Sequence, residues 1–162
     1  MNNIAIKHLG IQAYQHTFMR MQKTVNTKQH SQVWVLEHFP IYTIGRRSEK
    51  NHILARSKIP QTHTDRGGQV TYHGPGQLII YPLIQLEKFH LAPIELVNIL
   101  EESTIRALKR MGITAYGDHM ARGVYIQQRK VASIGLKIKN GYSYHGIAIN
   151  IHLDLKPFKN II

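Results

Sequence analysis

The sequence predicts a mixed α/β (α+β) domain in which strands outnumber helices. Three observations carry that prediction. Two stretches space their apolar residues as one face of a helix requires, several short runs are rich in branched and aromatic residues, and two tight breaks near the C-terminal end read as hairpin turns. Ile4 to Leu9 is a short strand-like run. Tyr14 to Val25 follows as a helix, because Tyr14, Phe18, Met21 and Val25 fall at intervals of four, three and four. Val33–Leu36 and Ile41–Ile44 are strand-like runs on either side of the Phe39-Pro40 break. Leu78–Ile84 is almost continuously apolar and reads as a buried strand. Pro82 then has to lie at an edge or a bulge, since it cannot donate to a ladder.

Pro93 to Met111 is the clearest helix. Pro93 suits the first helical position, Gly112 supplies the stop, and Ile94, Val97, Leu100, Thr104, Leu108 and Met111 are assigned to one side. Acids in its front half and Arg106, Lys109 and Arg110 near its end complement the helix dipole. Gly123–Ile126, Val131–Ile138 and Tyr144–Ile151 are strands, and the breaks at Gln127-Gln128-Arg129 and Lys139-Asn140-Gly141 predict hairpins between them.

Nothing repeats along the 162 residues, and no linker rich in Pro, Gly or Ser divides them, so one domain is expected over 1–162. No apolar run approaches the ~18 residues of a membrane span. The start of the chain lacks the basic-then-apolar layout of a signal peptide, which predicts a cytoplasmic protein. With 0 Cys, these residues carry no disulfide, Cys-ligated metal or thiolate nucleophile. The 11 His form no His-x-His, His-x-x-x-His or His-Glu-x-x-His pair, so no metal site is expected. The net charge of +12 predicts attraction to polyanions or acidic proteins. From Arg106 to Lys139, eight basic residues face one acid, Asp118. Without a basic run or a nucleic-acid motif, a solvated basic surface accounts for the charge equally well.

The chemistry-bearing composition lies in Arg66-Gly67-Gly68-Gln69-Val70-Thr71-Tyr72-His73-Gly74-Pro75-Gly76-Gln77, where four of the 12 Gly fall. Glycines there permit close backbone approach around a cation, two hydroxyls and an imidazole, which is the composition of a binding loop. It is not a phosphate-binding P-loop, because the Gly-Lys-Ser/Thr ending is absent. The same residues also serve a plain turn between two strands, and the residues alone leave both readings open. Lys130 and His145, taken alone, read as a surface lysine and a structural histidine.

Three blocks together resemble one family, the lipoyl(octanoyl) transferases. They are Leu36–Arg46 (LEHFPIYTIGR), Asp65–Leu83 with its RGGxxTYHGPGQ string, and Lys130–Gly135 followed by Tyr144–Asn150. The resemblance covers essentially the whole chain and implies the biotin/lipoate protein-ligase fold, a mixed sheet with flanking helices. It implies transfer of an octanoyl or lipoyl group from acyl carrier protein to a lysine of lipoyl domains, those of 2-oxoacid dehydrogenases and the glycine cleavage H protein. The acceptor is protein, with no nucleic acid, membrane or cofactor involved, and the enzyme is a bacterial one. By the resemblance, Arg66, Gly67, Gly68, Gln69, Val70, Thr71, Tyr72 and His73 line the acyl pocket. Ser133, Ile134, Gly135, Gly146, Ile147 and Ala148 complete it, with Gly135, Gly146 and Ala148 leaving room for the chain. Lys130 matches the family's essential lysine, whose ammonium favours a thiolate and shuttles protons.

The sequence departs from that pattern in two places. Tyr125 stands where many members carry Trp. More consequentially, the family runs from a Pro-Phe pair through four residues to Pro-Cys-Gly, whose cysteine is the nucleophile. Pro157-Phe158-Lys159-Asn160-Ile161-Ile162 matches the approach, so the cysteine is expected two residues past Ile162, the given chain being cut just before it and inactive without it. An ATP-dependent lipoate or biotin ligase of the same fold, and a non-catalytic basic binding module, are the alternatives.

Overall fold

The computed structural model describes residues 4–55 and 57–162. The sequence reading of the amino-terminal start includes residues 1–3, which lie outside the described residues.

Alternation of buried and less buried positions decides the architecture. In β2 (Gln32–His38), Gln32, Trp34, Leu36 and His38 are buried while the residues between them are only partly so. One face of this strand therefore meets helix α1 (Tyr14–Asn26), whose Met21 and Val25 pack with Trp34 and Leu36. The helix is the crossover between β1 (Ala5–Gln12) and β2, which pair in parallel. Strand β6 (Gln77–Leu83) adds antiparallel to β2, and β10 (Tyr142–Asn150) antiparallel to β6.

Strand β10 is buried along nearly its whole length because both its faces are covered. Tyr142, Tyr144 and Ala148 join the core under α1. Ile147 and Ile149 face the opposite core with Leu96, Leu100 and Leu108 of helix α2 (Pro93–Arg110). The sheet continues through β9 (Arg129–Lys139), β8 (Gly123–Ile126) and β7 (Tyr116–Gly117), giving the order β1-β2-β6-β10-β9-β8-β7. The expected mixed sheet with flanking helices is what the chain forms.

Both hairpins form as expected, and by the same backbone device. Gln127 and Gln128 have φ of 46° and 65°, and Asn140 and Gly141 have 52° and 77°. Two successive positive φ values match the twist of antiparallel strands. Gly112, with φ of 78°, ends α2 as the sequence required. The buried face of α2 differs from the reading. It follows Leu96, Leu100, Thr104 and Leu108, whereas Ile94 and Met111 are 51% and 74% exposed. The stripe climbs in steps of four, so the two terminal apolar residues overhang the sheet.

Pro82 lies in an interior strand, opposite Val33 of β2. The regular β6–β10 pairing runs only from Gln77 to Ile80, so no ladder bond is demanded of Pro82 on that side. Ser143 bridges the opening, its hydroxyl donating to Pro82 O at 2.6 Å and accepting from Ile84 N at 3.1 Å.

A second sheet was not foreseen. Strand β3 (Ile41–Ile44) pairs parallel with β4 (Gln61–His63) and antiparallel with β5 (Thr71–His73). The C-terminal residues are stitched to it and to the segment that follows β3. Tyr42 Oη donates to Pro157 O at 2.8 Å, Leu54 N to Asn160 O at 2.8 Å, and Ile162 N to His52 O at 3.0 Å.

Candidate active site

One cavity of about 660 Å³ opens where the glycine-rich loop, β9, β10 and the C-terminal residues converge. Such a volume is typical of small-molecule sites. Of the residues singled out from sequence, Arg66, Gly68, Gln69, Val70, Thr71 and His73 line it. So do Lys130, Ser133, Ile134, Gly135, Gly146, Ile147 and Ala148. Two do not. Tyr72 lies between Thr71 and His73 on a strand and therefore points to the opposite face, where it packs on Tyr42 and Phe158. Gly67 lies against β9, its N–H donating to Leu136 O at 3.1 Å.

The glycines act differently from expectation. A Cβ at Gly135 would come 3.0 Å from Gly67 O, and one at Gly146 would come 2.0 Å from Ile80 O. Both lie on the cavity wall, yet the space their missing side chains leave is taken by the protein's own backbone. Their contribution is close packing of loop on strand and strand on strand.

Beneath the loop lies a polar network whose proton positions follow from its partners. Arg66 is buried, and its guanidinium donates to Thr43 Oγ1 at 2.8 and 3.2 Å, to Thr43 O at 2.6 Å and to Gly67 O at 2.9 Å. With its lone pairs so engaged, the Thr43 hydroxyl donates to His73 Nε2 at 3.2 Å. His73 Nδ1–H then donates to Gln77 Oε1 at 2.7 Å, and Gln77 Nε2 donates onward to Asn150 Oδ1 at 2.9 Å. His38 is fixed the same way. Its Nδ1–H donates to Gln12 O at 3.0 Å and its Nε2 accepts from Tyr81 Oη at 2.8 Å.

Burial keeps these imidazoles neutral. It takes His38 from 6.5 to about 4, and it holds His73 well below the usual histidine range with help from nearby His38. Burial also lowers Arg66 and raises Tyr14 and Tyr81. The Tyr14 hydroxyl is buried close to Arg66 without a hydrogen bond of normal geometry.

His145 adopts a φ of 58°, uncommon for a residue with a side chain, and lines the cavity. Its Nε2–H donates to Asp65 Oδ1 at 2.9 Å, and Tyr144 Oη donates to the other oxygen of Asp65. Burial lowers His145 more than Asp65 raises it. Burial also works to raise Asp65, but the hydrogen bonds from His145 and Tyr144 outweigh it and hold the carboxyl low. The pair is thus a neutral imidazole on a carboxylate.

Lys130 stands at the exposed rim. Its Nζ donates to Arg122 O at 3.2 Å and lies 5.3 Å from the centre of the Tyr125 ring. The segment that supplies Arg122 O is held by Glu101 of α2, which accepts from the Arg122 guanidinium at 2.9 Å and from Gly123 N at 2.8 Å. Phe158, Ile161 and Ile162 close the wall from the C-terminal side. His73, and His38 beneath it, have both ring nitrogens occupied, so among the described cavity residues the Lys130 ammonium and the His119 and His145 imidazoles are the groups left for proton transfer. Among the described residues, no group of three His, Cys, Asp or Glu is placed to hold a metal ion. No described helix is long and apolar enough to cross a membrane.

Sequence reasoning missed Tyr14, Arg47, Tyr81, His119–Arg122, Phe158, Ile161 and Ile162 as cavity residues. Phe158, Ile161 and Ile162 lie in the Pro-Phe approach that the family pattern marks, whereas the positions of the others depend on which elements meet.

The fold is the one seen in lipoate and biotin protein ligases. Lipoate-protein ligase A bound with ATP superposes with a TM-score of 0.80 at 12% identity, covering 98% of this chain and 71% of that one. The biotin protein ligase of Aquifex aeolicus, in complex with biotin and ATP, gives 0.60 at 16% identity, over 97% of this chain and 57% of that one. At such identities the likeness is one of fold. Sequence narrows it: residues 11–162 match the lipoyl protein ligase A/B catalytic domain, and the chain belongs to that family. The octanoyltransferases of Shewanella halifaxensis and Shewanella pealeana are each 45% identical to it over 163 aligned residues, spanning 99% of this chain and 74% of theirs.

Proposed function

We propose that this protein transfers an octanoyl group, or a lipoyl group, from the thioester of an acyl carrier protein to a lysine amine of a lipoyl domain. The acceptors are the lipoyl domains of 2-oxoacid dehydrogenases and the glycine cleavage H protein. The observation that carries the reading is the meeting of Lys130 and Ile162 on the wall of one cavity. The family pattern puts a cysteine two residues after Ile162, which would bring a thiol towards that ammonium. The identity to octanoyltransferases supports the same reading.

The chemistry balances without ATP. The cysteine thiolate attacks the acyl thioester, forming a new C–S bond as the carrier's C–S bond breaks, and the departing carrier thiolate takes up a proton. The acceptor lysine amine then attacks the enzyme thioester; a C–N bond forms, the C–S bond breaks, and the amine's proton passes to the cysteine sulfur. An ammonium beside the sulfur stabilises the thiolate electrostatically and can carry that proton. Thioester to amide is downhill. Val70, Ile134, Ile147, Ala148, Phe158 and Ile161 offer the apolar wall that an eight-carbon chain needs, each buried methylene contributing ~0.8 kcal/mol.

The test is acyl labelling of the full-length polypeptide with octanoyl-carrier protein. A label released by neutral hydroxylamine is expected, and Lys130→Ala should slow transfer by about 10²–10⁴-fold. Full activity in that variant removes Lys130 from the mechanism. A requirement for ATP and free octanoate replaces the transferase reading with a ligase.

A further inference from the structure

We propose that the mouth of the cavity is an anion subsite for a phosphate ester, with Arg47 as the cation that receives it. The inference rests on the octanoyl-transfer reading above and assigns the part of the donor that lies outside the acyl slot. Arg47, Arg66, Arg122 and Lys130 all line the cavity, and among the described residues no Asp or Glu does. The other three have partners. Arg66 donates to Thr43 and Gly67, Arg122 to Glu101 and Asn98, and Lys130 gives one N–H to Arg122 O. The exposed Arg47 side chain makes no hydrogen bond or ion pair with any described residue.

Its backbone, in contrast, is pinned. Arg47 N donates to Gly68 O at 3.0 Å, Arg46 N to Arg66 O at 3.1 Å and Ser48 N to Gly45 O at 3.0 Å. A Cβ on Gly45 would come 2.4 Å from Gly68 O, so the turn is seated directly on the glycine-rich loop. A fixed backbone aims a free guanidinium at the mouth of an acid-free cavity, which is an arrangement that favours an incoming anion.

An octanoyl chain carries no charge for this cation to meet. The arm that presents an acyl thioester on a carrier protein does, because it joins the carrier through a phosphodiester. With the acyl chain against the apolar wall and the thioester carbon near Lys130, the remainder of the arm leaves through the cationic mouth. An acyl-adenylate, the intermediate of an ATP-using route, offers the same phosphate chemistry from another source.

The experiment is calorimetric binding to the full-length polypeptide at low salt, using non-transferable octanamide analogues of pantetheine and of its 4′-methyl phosphodiester. The phosphodiester is expected to tighten binding about fivefold in the unaltered protein. Arg47→Ala should abolish most of that gain and Arg47→Lys should keep part of it, with thermal melting verifying that both variants fold. An equal gain from phosphate in Arg47→Ala overturns the proposal. So does a higher KM for the lipoyl domain with the phosphate gain intact, which would assign Arg47 to the acceptor. ATP-dependent formation of octanoyl-adenylate, weakened by Arg47→Ala, with no transfer from the carrier thioester keeps the phosphate subsite and sinks the transferase reading.

Discussion

Thr43 shows how much one small side chain settles in this site. Its hydroxyl accepts from the buried Arg66 guanidinium and donates to His73, so it fixes the orientation of a cation and the tautomer of an imidazole at once. Thr43→Val is nearly isosteric and leaves both partners buried with an unmet bond, so a loss of about 3 kcal/mol is expected. Thr43→Ser should recover most of it, and urea midpoints with unchanged slope would measure the difference. Indistinguishable midpoints for Val and Ser would show that the network contributes nothing. The twelve-residue glycine-rich string made Arg66 and His73 visible in the sequence, but not what they do. Their partner is 23 residues from Arg66 and 30 from His73, on β3 of the three-stranded sheet. Asp65 opens the second family block, but its role is hidden for the same reason, since 80 residues separate it from His145. Lys130 was legible only through the family pattern. Its own surroundings, the Tyr125 ring and a backbone carbonyl, are those of many surface lysines.

Helix α2 links the element scale to the site. Glu101 is one of the acids in the front half of the helix, yet it is 5% exposed and turned inward. It holds Arg122 and Gly123, and the carbonyl of Arg122 receives Lys130 Nζ. Gly123, with φ of 145°, permits the turn, and a Cβ there would come 3.2 Å from Lys130 Cε. Glu101→Ala removes one partner of a largely buried pair and should cost about 3 kcal/mol. It should also lower kcat more than it raises the KM for the donor, because the acyl slot on the far wall is untouched. Glu101→Gln keeps an acceptor for Gly123 N and should restore stability more fully than activity. Equal recovery of both would make Glu101 purely structural. Periodicity located α2 to within a residue and the middle of its buried face, Leu100, Thr104 and Leu108, but not its ends, because packing against β7, β8, β9 and β10 decides how far the stripe is covered. The hairpins were legible since two consecutive residues suffice to define each turn. The three-stranded sheet was not, since two of its strands are three residues long and give no periodic signal.

At the scale of the whole molecule, the packing of neutral histidines beneath the cavity sets an acid limit. His38, His73 and His145 all have folded-state values below the usual histidine value, mainly through burial. Below about pH 6.5 the unfolded chain takes up protons that these imidazoles refuse in the native state, so stability falls with falling pH. For His38 alone, a shift from 6.5 to about 4 amounts to roughly 3 kcal/mol by pH 4. Asp65 adds a loss at more acid pH, as its depressed carboxyl is protonated. The melting temperature should therefore drop between pH 7 and 5, and His38→Gln should flatten that drop; a melting temperature constant over the interval contradicts the neutral network. Most strands of the large sheet and both flanking helices were legible from periodicity and turn chemistry, whereas the cavity exists only once both sheets and the C-terminal residues meet. The most direct measurement is mass spectrometry of a lipoyl domain incubated, without ATP, with the full-length polypeptide and octanoyl-carrier protein. One octanoyl group gained on a single lysine is the expected result; an unmodified domain under those conditions, modified only when ATP and free octanoate are added, would contradict it.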